Sequence, residues 1–252
     1  SVMANLTTKY MGLELKNPVI VGANNMVTDI DKLKRMEKAG AAAVVFKSLF
    51  EEQIQLENLE QSELKTEYED RNAEMITLFP NAGPESDYPA GHLLKLKKAK
   101  EAVSIPVFAS LSAINDDVWV YYAKKIEGTG VDGLELNFYT TPDQTKSGYG
   151  DIEKRQIKTL KEVRSAVKIP ISVKLSPFYT NTLKLISDLI NAGADGVVLF
   201  NRLFQPDIDI DNEKHHFPYN LSNREDHRLP MRFAGSLYGN TGASVCTNTG
   251  IF

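Results

Sequence analysis

Apolar residues in this chain fall into short runs separated by amphipathic stretches, and the two kinds of segment alternate along nearly its whole length. The runs at 19–21, 41–46, 106–110, 131–137, 169–175, 194–200 and 243–247 are rich in Val, Ile, Leu and Ala and are bounded by Gly, Pro, Asn or Ser. That pattern predicts buried strands. Apolar positions recur at helical spacing over 29–39, 91–103, 116–127, 151–167 and 180–192, which predicts helices with one face on a core. Asp29 is placed to cap the first of these and Gly40 to end it. Several helices close with one device, as in Lys38-Ala39-Gly40-Ala41 and Asn191-Ala192-Gly193-Ala194, where glycine supplies a left-handed cap and small residues let helix and strand approach.

Strands that are apolar on both faces, in strict β-then-α order, imply a parallel sheet covered by helices. Continuous alternation with no second composition zone favours a single domain over 1–252, and a closed barrel over a doubly wound sheet. The predicted fold class is therefore α/β, a TIM-type (β/α)8 barrel lacking its last βα unit in this chain, since only seven strands can be counted. Three explanations stay open: a shortened chain, an open barrel, or completion by something else. Residues 5–16 alternate on both sides of Met11-Gly12 and predict a hairpin ahead of the main fold. Residues 51–90 and 202–241 are excursions longer than a tight connection requires, and they are the candidate contact surfaces of a homo-oligomer.

Composition changes this picture little. A hydrophobic content of 42% with 25% charged residues is ordinary for a globular protein of 252 residues. A net charge of -4 gives no reason to propose nucleic acid or an anionic membrane as partner. The lysines at 95–100 stand among leucines and alanines at helical spacing, as a solvated helix face does. The one cysteine, Cys246, lies in an apolar strand, reads as a small buried hydrophobe and fits a reducing compartment. With no apolar run of about 18 residues, and no charged-then-apolar leader, the expected location is the cytoplasm.

Candidate chemistry gathers at the carboxyl ends of strands, where a parallel barrel places its working site. Lys47, Asn137, Lys174 and Asn201 each follow or end an apolar run. Two cations and two amides suit an anionic, planar, hydrogen-bonding ligand such as a flavin or a nucleotide phosphate. Gly22-Ala23-Asn24-Asn25 and Thr247-Asn248-Thr249-Gly250 offer small residues and backbone N–H groups near the same rim. No P-loop or Gly-x-Gly-x-x-Gly opens a helix. His215 and His216 beside Asp209, Asp211 and Glu213 lack zinc-like spacing and read as a solvated loop, so no metal is expected. Thr140 and Thr141 stand where a general base belongs, although turn hydrogen bonds are the commoner use of such residues.

Together these residues resemble the dihydroorotate dehydrogenases, FMN-dependent β/α barrels. The resemblance runs in order from Leu6-Thr7-Thr8-Lys9-Tyr10-Met11-Gly12 through Phe46-Lys47-Ser48, Glu135-Leu136-Asn137 and Val173-Lys174-Leu175-Ser176-Pro177 to Asn201 and Thr249-Gly250-Ile251. It implies FMN as cofactor and a small-molecule substrate. By this resemblance Ala23 and Asn24 line the flavin ring, Lys47 and Ser48 lie beside ring and substrate, and Asn137 bridges the two. Lys174 lies at the N1–C2 carbonyl edge, Asn81 and Asn201 bind substrate, and Gly239, Thr249 and Gly250 approach the ribityl phosphate.

The family's base is a cysteine or serine in an Asn-x-Ser-Cys-Pro-Asn loop. Here that loop reads Asn137-Phe138-Tyr139-Thr140-Thr141-Pro142-Asp143. A threonine stands at the base position, either Thr141 or Thr140, and Asp143 replaces a substrate-binding asparagine. Met75-Ile76-Thr77-Leu78-Phe79-Pro80-Asn81 lacks the family's first asparagine, and Arg202 replaces a small residue after Asn201. The implied activity is oxidation of dihydroorotate to orotate in pyrimidine synthesis. The alternatives are a paralogue acting on another small ring or unsaturated acid, and a flavin-less barrel with a binding role.

Overall fold

The computed structural model describes residues 4–50, 88–112, 116–139, 148–202, 207–216 and 222–251. An antiparallel hairpin, β1 (Thr8–Tyr10) and β2 (Leu13–Leu15), precedes the sheet. Its two-residue turn places Met11 at φ 48° and Gly12 at φ 84°. Positive φ at both positions is the primed geometry that matches strand twist. The sheet follows as β3 (Ile20–Val21), β4 (Ala43–Val45), β5 (Val107–Leu111), β6 (Gly133–Asn137), β7 (Ile171–Leu175), β8 (Gly196–Leu199) and, after a second hairpin of β9 (Asp207–Asp209) and β10 (Lys214–His216), β11 (Ser244–Thr247). Its spatial order is β3-β4-β5-β6-β7-β8-β11 and every neighbouring pair is parallel.

The helices among the described residues are α1 (Ile30–Lys38), α2 (Tyr88–Ala102), α3 (Asp116–Glu127), α4 (Asp151–Ala166), α5 (Thr182–Asn191) and α6 (Arg228–Leu237). Leu33, Leu96, Ile126, Leu160 and Leu189 are fully or almost fully buried against the outward residues of the strands. On α2, His92, Leu96 and Ala99 are buried at helical spacing while Lys95, Lys97 and Lys98 are exposed, so the lysine cluster is a solvated face. Only Lys100 departs from it, donating to Asp132 Oδ2 at 2.6 Å.

The sheet curls into a barrel that does not close. Its edge strands β3 and β11 stand 9 Å apart. Neighbouring strands lie about 4.8 Å apart, so the opening is one strand wide, and the architecture is that of a TIM barrel without its final βα unit. The seam forms a cavity of about 820 Å3 between residues 18–20 on one side and 244–251 on the other.

The hairpin plugs the amino end of the barrel. Tyr10, Met11 and Leu15 are buried with Ala43, Val45 and Phe108. Tyr10 meets the Phe108 ring edge-on at 5.6 Å, and Met11 N donates to Ser244 Oγ at 2.8 Å. Gly133 and Gly196 make room for Met11, because a Cβ on either would come within 3.2 Å of its side chain.

Carboxylates latch the units at the same end. Glu37 at the end of α1 accepts from Ser104 N, Ser104 Oγ and Ile105 N, just before β5. Glu127 at the end of α3 accepts from Lys168 N and Ile169 N, just before β7. Asp132 and Asp195 accept from the first N–H of the preceding strands, Val107 N and Ile171 N. The device repeats every two units, with Pro106 and Pro170 matching in the strands that are latched. The Ser104 hydroxyl holds the Glu37 carboxyl below its ordinary pKa. A depressed carboxylate stabilises the fold above its unfolded pKa, and this contribution fades as pH falls through the lowered value.

The excursion at 202–241, for which the sequence predicted no element, carries β9, β10 and α6 among its described residues. Pro230 obscures the helix in the sequence, yet it lies in the first turn, where backbone N–H groups have no intrahelical acceptor. Pro230 and Leu237 are buried, and Phe233 packs edge-on to Phe200 at 5.2 Å. The excursion at 51–90 lies outside the described residues up to 87, and α2 begins at Tyr88.

Candidate functional site

Alternation along each strand decides what reaches the barrel interior. Leu134 and Leu136 join the core under the helices, so Gly133, Glu135 and Asn137 face inward. Register then sets two tiers. Ser110, Glu135 and Ser172 stand side by side on β5, β6 and β7, and Asn137 pairs with Lys174 one step nearer the carboxyl rim.

At that rim the structure brings together five of the residues singled out from sequence. Asn137 is 7% exposed, and among the described residues its Oδ1 has no hydrogen-bond partner. Lys174 is half-buried beside it. Asn201, 8% exposed, reaches the same place from the end of β8, its Nδ2 lying 3.5 Å from both Phe138 O and Lys174 O. Ser48 continues β4, where Leu49 bridges to Leu111, and Lys47 is half-buried next to it. Ser48 Oγ shares a short hydrogen bond with Ser110 Oγ and lies 3.2 Å from Ser112 Oγ. Ser110 Oγ donates in turn to Glu135 Oε1 at 3.4 Å.

The seam loops contribute backbone. Ala23 packs beside the hairpin cluster. The Asn24 side chain accepts from Met26 N at 2.7 Å and donates to Gly22 O at 2.8 Å, which fixes the loop after β3 and occupies both ends of the amide. Thr249 (φ 72°) and Gly250 (φ 67°) form the turn after β11. A Cβ on Gly250 would lie 2.4 Å from His227 N and 3.0 Å from Asn223 O, so the turn sits directly on the entry to α6. Gly250→Ala is expected to cost roughly 1–3 kcal/mol, from αL strain and from a backbone clash that no rotamer relieves. Chemical denaturation of the two chains measures it.

Three expectations change. Gly239 does not belong to this rim. It follows α6 and leads into the amino end of β11, the opposite end of the strand from Thr249. The expectation placed it at the rim because the sequence reading had no α6 to set the direction of the chain. Cys246 is half-buried and not fully enclosed, because β11 borders the open seam. Burial pushes its thiol up to about 11, with Glu135 adding to the shift. His215 and His216 lie on the strand β10 and not in a loop. Asn81, Thr140, Thr141 and Asp143 lie outside the described residues.

Sequence reasoning missed Ser110, Ser112, Ser172 and Glu135 as one interior group. The signal was present as polar residues at period two on adjacent strands, Ser110/Ser112, Glu135/Asn137 and Ser172/Lys174. Each looked like an isolated polar interruption until register aligned them. Burial pushes the Glu135 carboxyl above its ordinary range, and Lys174 and Ser110 pull it back in part. Among the described residues, no helix is long and apolar enough to cross a membrane.

Comparison with known proteins adds lineage. A family model for dihydroorotate dehydrogenase matches residues 5–218. The catalytic subunit of dihydroorotate dehydrogenase B (NAD(+)) from Methanocaldococcus jannaschii is 27% identical over 223 residues, covering 83% of this chain and 66% of that protein. The same subunit from Methanosarcina acetivorans is 32% identical over 220 residues, covering 83% and 64%. Dihydroorotate dehydrogenase A (fumarate) from Lactobacillus helveticus is 27% identical over 229 residues, covering 87% and 70%. The chain thus spans about two thirds of the length of these curated relatives. Among solved structures, phosphonopyruvate hydrolase with oxalate and Mg++ superposes with a TM-score of 0.52 at 15% identity, covering 92% of this chain and 76% of that one, which is a likeness of fold alone. The match across residues 5–218 decides the lineage: this chain belongs to the dihydroorotate dehydrogenase family.

Proposed function

We propose that the chain is an FMN-dependent oxidoreductase that oxidises dihydroorotate to orotate. The observation carrying this reading is the buried, unpartnered Asn137 Oδ1 beside Lys174. Leaving such an acceptor unsatisfied costs about 1–3 kcal/mol, so the site calls for a ligand that donates a hydrogen bond next to a cation. The flavin ring has that chemistry, with N–H and carbonyl groups along one edge, and the residues present fit it.

Lys174 and Asn137 hold the ring's polar edge, and Ser48 and Lys47 border it from β4. Asn201 presents its amide to the substrate from β8. The turn at Thr249-Gly250, with its backbone close to the α6 entry, would hold the ribityl phosphate. FMN, when bound, supplies the hydride acceptor. The protein would remove the substrate's C5 proton, a task that falls to Thr141 or Thr140, which follow β6 in the sequence. A threonine hydroxyl needs activation to act as a base.

Dihydroorotate added without oxygen to the FMN-loaded chain should bleach the flavin bands, and no bleaching rejects the substrate assignment. Replacing the functional threonine by alanine should slow bleaching about a hundredfold or more, the usual worth of a positioned base. An unchanged rate in both alanine variants places the base elsewhere.

The second reading is a paralogue that acts on another small unsaturated or ring substrate. Arg202 favours it, standing next to Asn201 with its guanidinium 4.0 Å from Asp226. Bleaching by a different member of a substrate panel, with dihydroorotate inert, would establish it.

A further inference from the structure

Glu135 is an ionisable group that the proposed chemistry does not use. It is 4% exposed, in the middle of the barrel, under the rim that holds Asn137 and Lys174. A carboxylate sealed inside a barrel away from water is costly unless it is paired and hydrogen-bonded. A core position in an apolar run would ordinarily carry Val or Leu, so the residue needs a reason.

We propose that Glu135 is a positioning residue for Lys174: from the tier below, its carboxylate attracts the ammonium across the lumen and offsets its charge, so that the two together set how strongly the rim favours a negatively charged ring. The proposal rests on the flavin reading given above.

Geometry supports it from each side. Lys174 is one step above Ser172, the register partner of Glu135, and both side chains point into the same lumen. The two groups interact electrostatically, and the ammonium favours the charged form of the carboxyl. Ser110 donates to Glu135 from β5 at 3.4 Å and is itself bonded to Ser48, so the carboxyl also anchors the hydroxyl group at the rim. The other titratable groups facing it are the Tyr10 phenol from the hairpin below and the Cys246 thiol from β11. Burial raises both, and Glu135 raises both further, so neither becomes a competing anion. Lys174 is the cation on which this carboxyl acts.

A cation under a ring that gains negative charge on reduction favours the reduced form. A carboxylate beneath that cation weakens the preference. Glu135→Gln keeps the size and removes the charge. In the FMN-loaded chain it should shift the oxidised–reduced equilibrium about tenfold toward reduced flavin, about 30 mV for a two-electron couple. An unchanged midpoint potential overturns the proposal.

The pairing can also be read without flavin. In the chain alone, the infrared band of a neutral carboxyl should persist above the pH at which an ordinary glutamate loses it and should vanish in Glu135→Gln. In Lys174→Met the band should persist to a pH higher by roughly one unit or more, the effect of removing a neighbouring opposite charge. An unmoved titration overturns the pairing. If Lys174→Met does not fold, Lys174→Gln replaces it, with the same upward movement of the carboxyl band expected and an unmoved titration overturning the pairing. A chain that binds no FMN but shows these coupled titrations rejects the flavin reading and keeps the pair.

Discussion

Lys174→Ala should weaken retention of FMN and slow reduction of the bound flavin by about 100- to 1000-fold, the cost of removing one preorganised charge-stabilising group. Val173 and Leu175 are fully buried on the helix side of β7, which forces residue 174 inward. Register sets it opposite Asn137, and Asn201 Nδ2 lies near its carbonyl oxygen. The ammonium therefore stands over a polar lumen on a rigid strand, where reorganisation costs little. Rapid-mixing reduction of the FMN-loaded variant measures the effect. Reduction at the wild-type rate would remove Lys174 from the chemistry. Lys174→Arg separates charge from geometry: it restores retention if charge suffices and fails if the compact ammonium is needed.

Phe108→Ala should lower stability by about 3–5 kcal/mol, the usual cost of emptying a buried aromatic site. Phe108 is 1% exposed and, unlike the outward residues of β5, faces the barrel interior. Tyr10 packs edge-on against it, and a Cβ at Gly133 would come within 2.9 Å of its ring. It is the body against which the hairpin seats, and with β3 and β11 apart at the seam that plug ties the amino end together. Denaturant unfolding measures the loss. A cost below about 1 kcal/mol would mean that the hairpin collapses into the space. The variant should also loosen Tyr10, which limited proteolysis near residue 10 would detect.

Much of this architecture was legible in the chain. The seven apolar runs are the seven parallel strands, and the break around Met11-Gly12 is the turn of the plugging hairpin. The count of seven strands against a barrel's eight is borne out by an opening one strand wide. What stayed hidden depends on three-dimensional register. Glu135 and Ser110 read as polar interruptions because only the pairing of β5 with β6 puts them side by side. The helix α6 was masked by Pro230 and Gly235, each a breaker in isolation and each harmless where it sits, one in the first turn and one on the exposed face. Missing that helix reversed the expected position of Gly239. At the candidate site, the inward placement of Asn137, Lys174 and Asn201 follows from strand alternation, while the local use of Asn24 as a cap depends on a turn that periodicity does not show.

The central claim is a flavin site at the carboxyl rim of this open barrel. Its most direct test is the visible absorption spectrum of the purified chain after FMN addition and desalting. Flavin bands that stay with the protein, and are lost in Asn137→Leu while the fold persists, are the predicted result. A wild-type chain that emerges folded and colourless would contradict the claim.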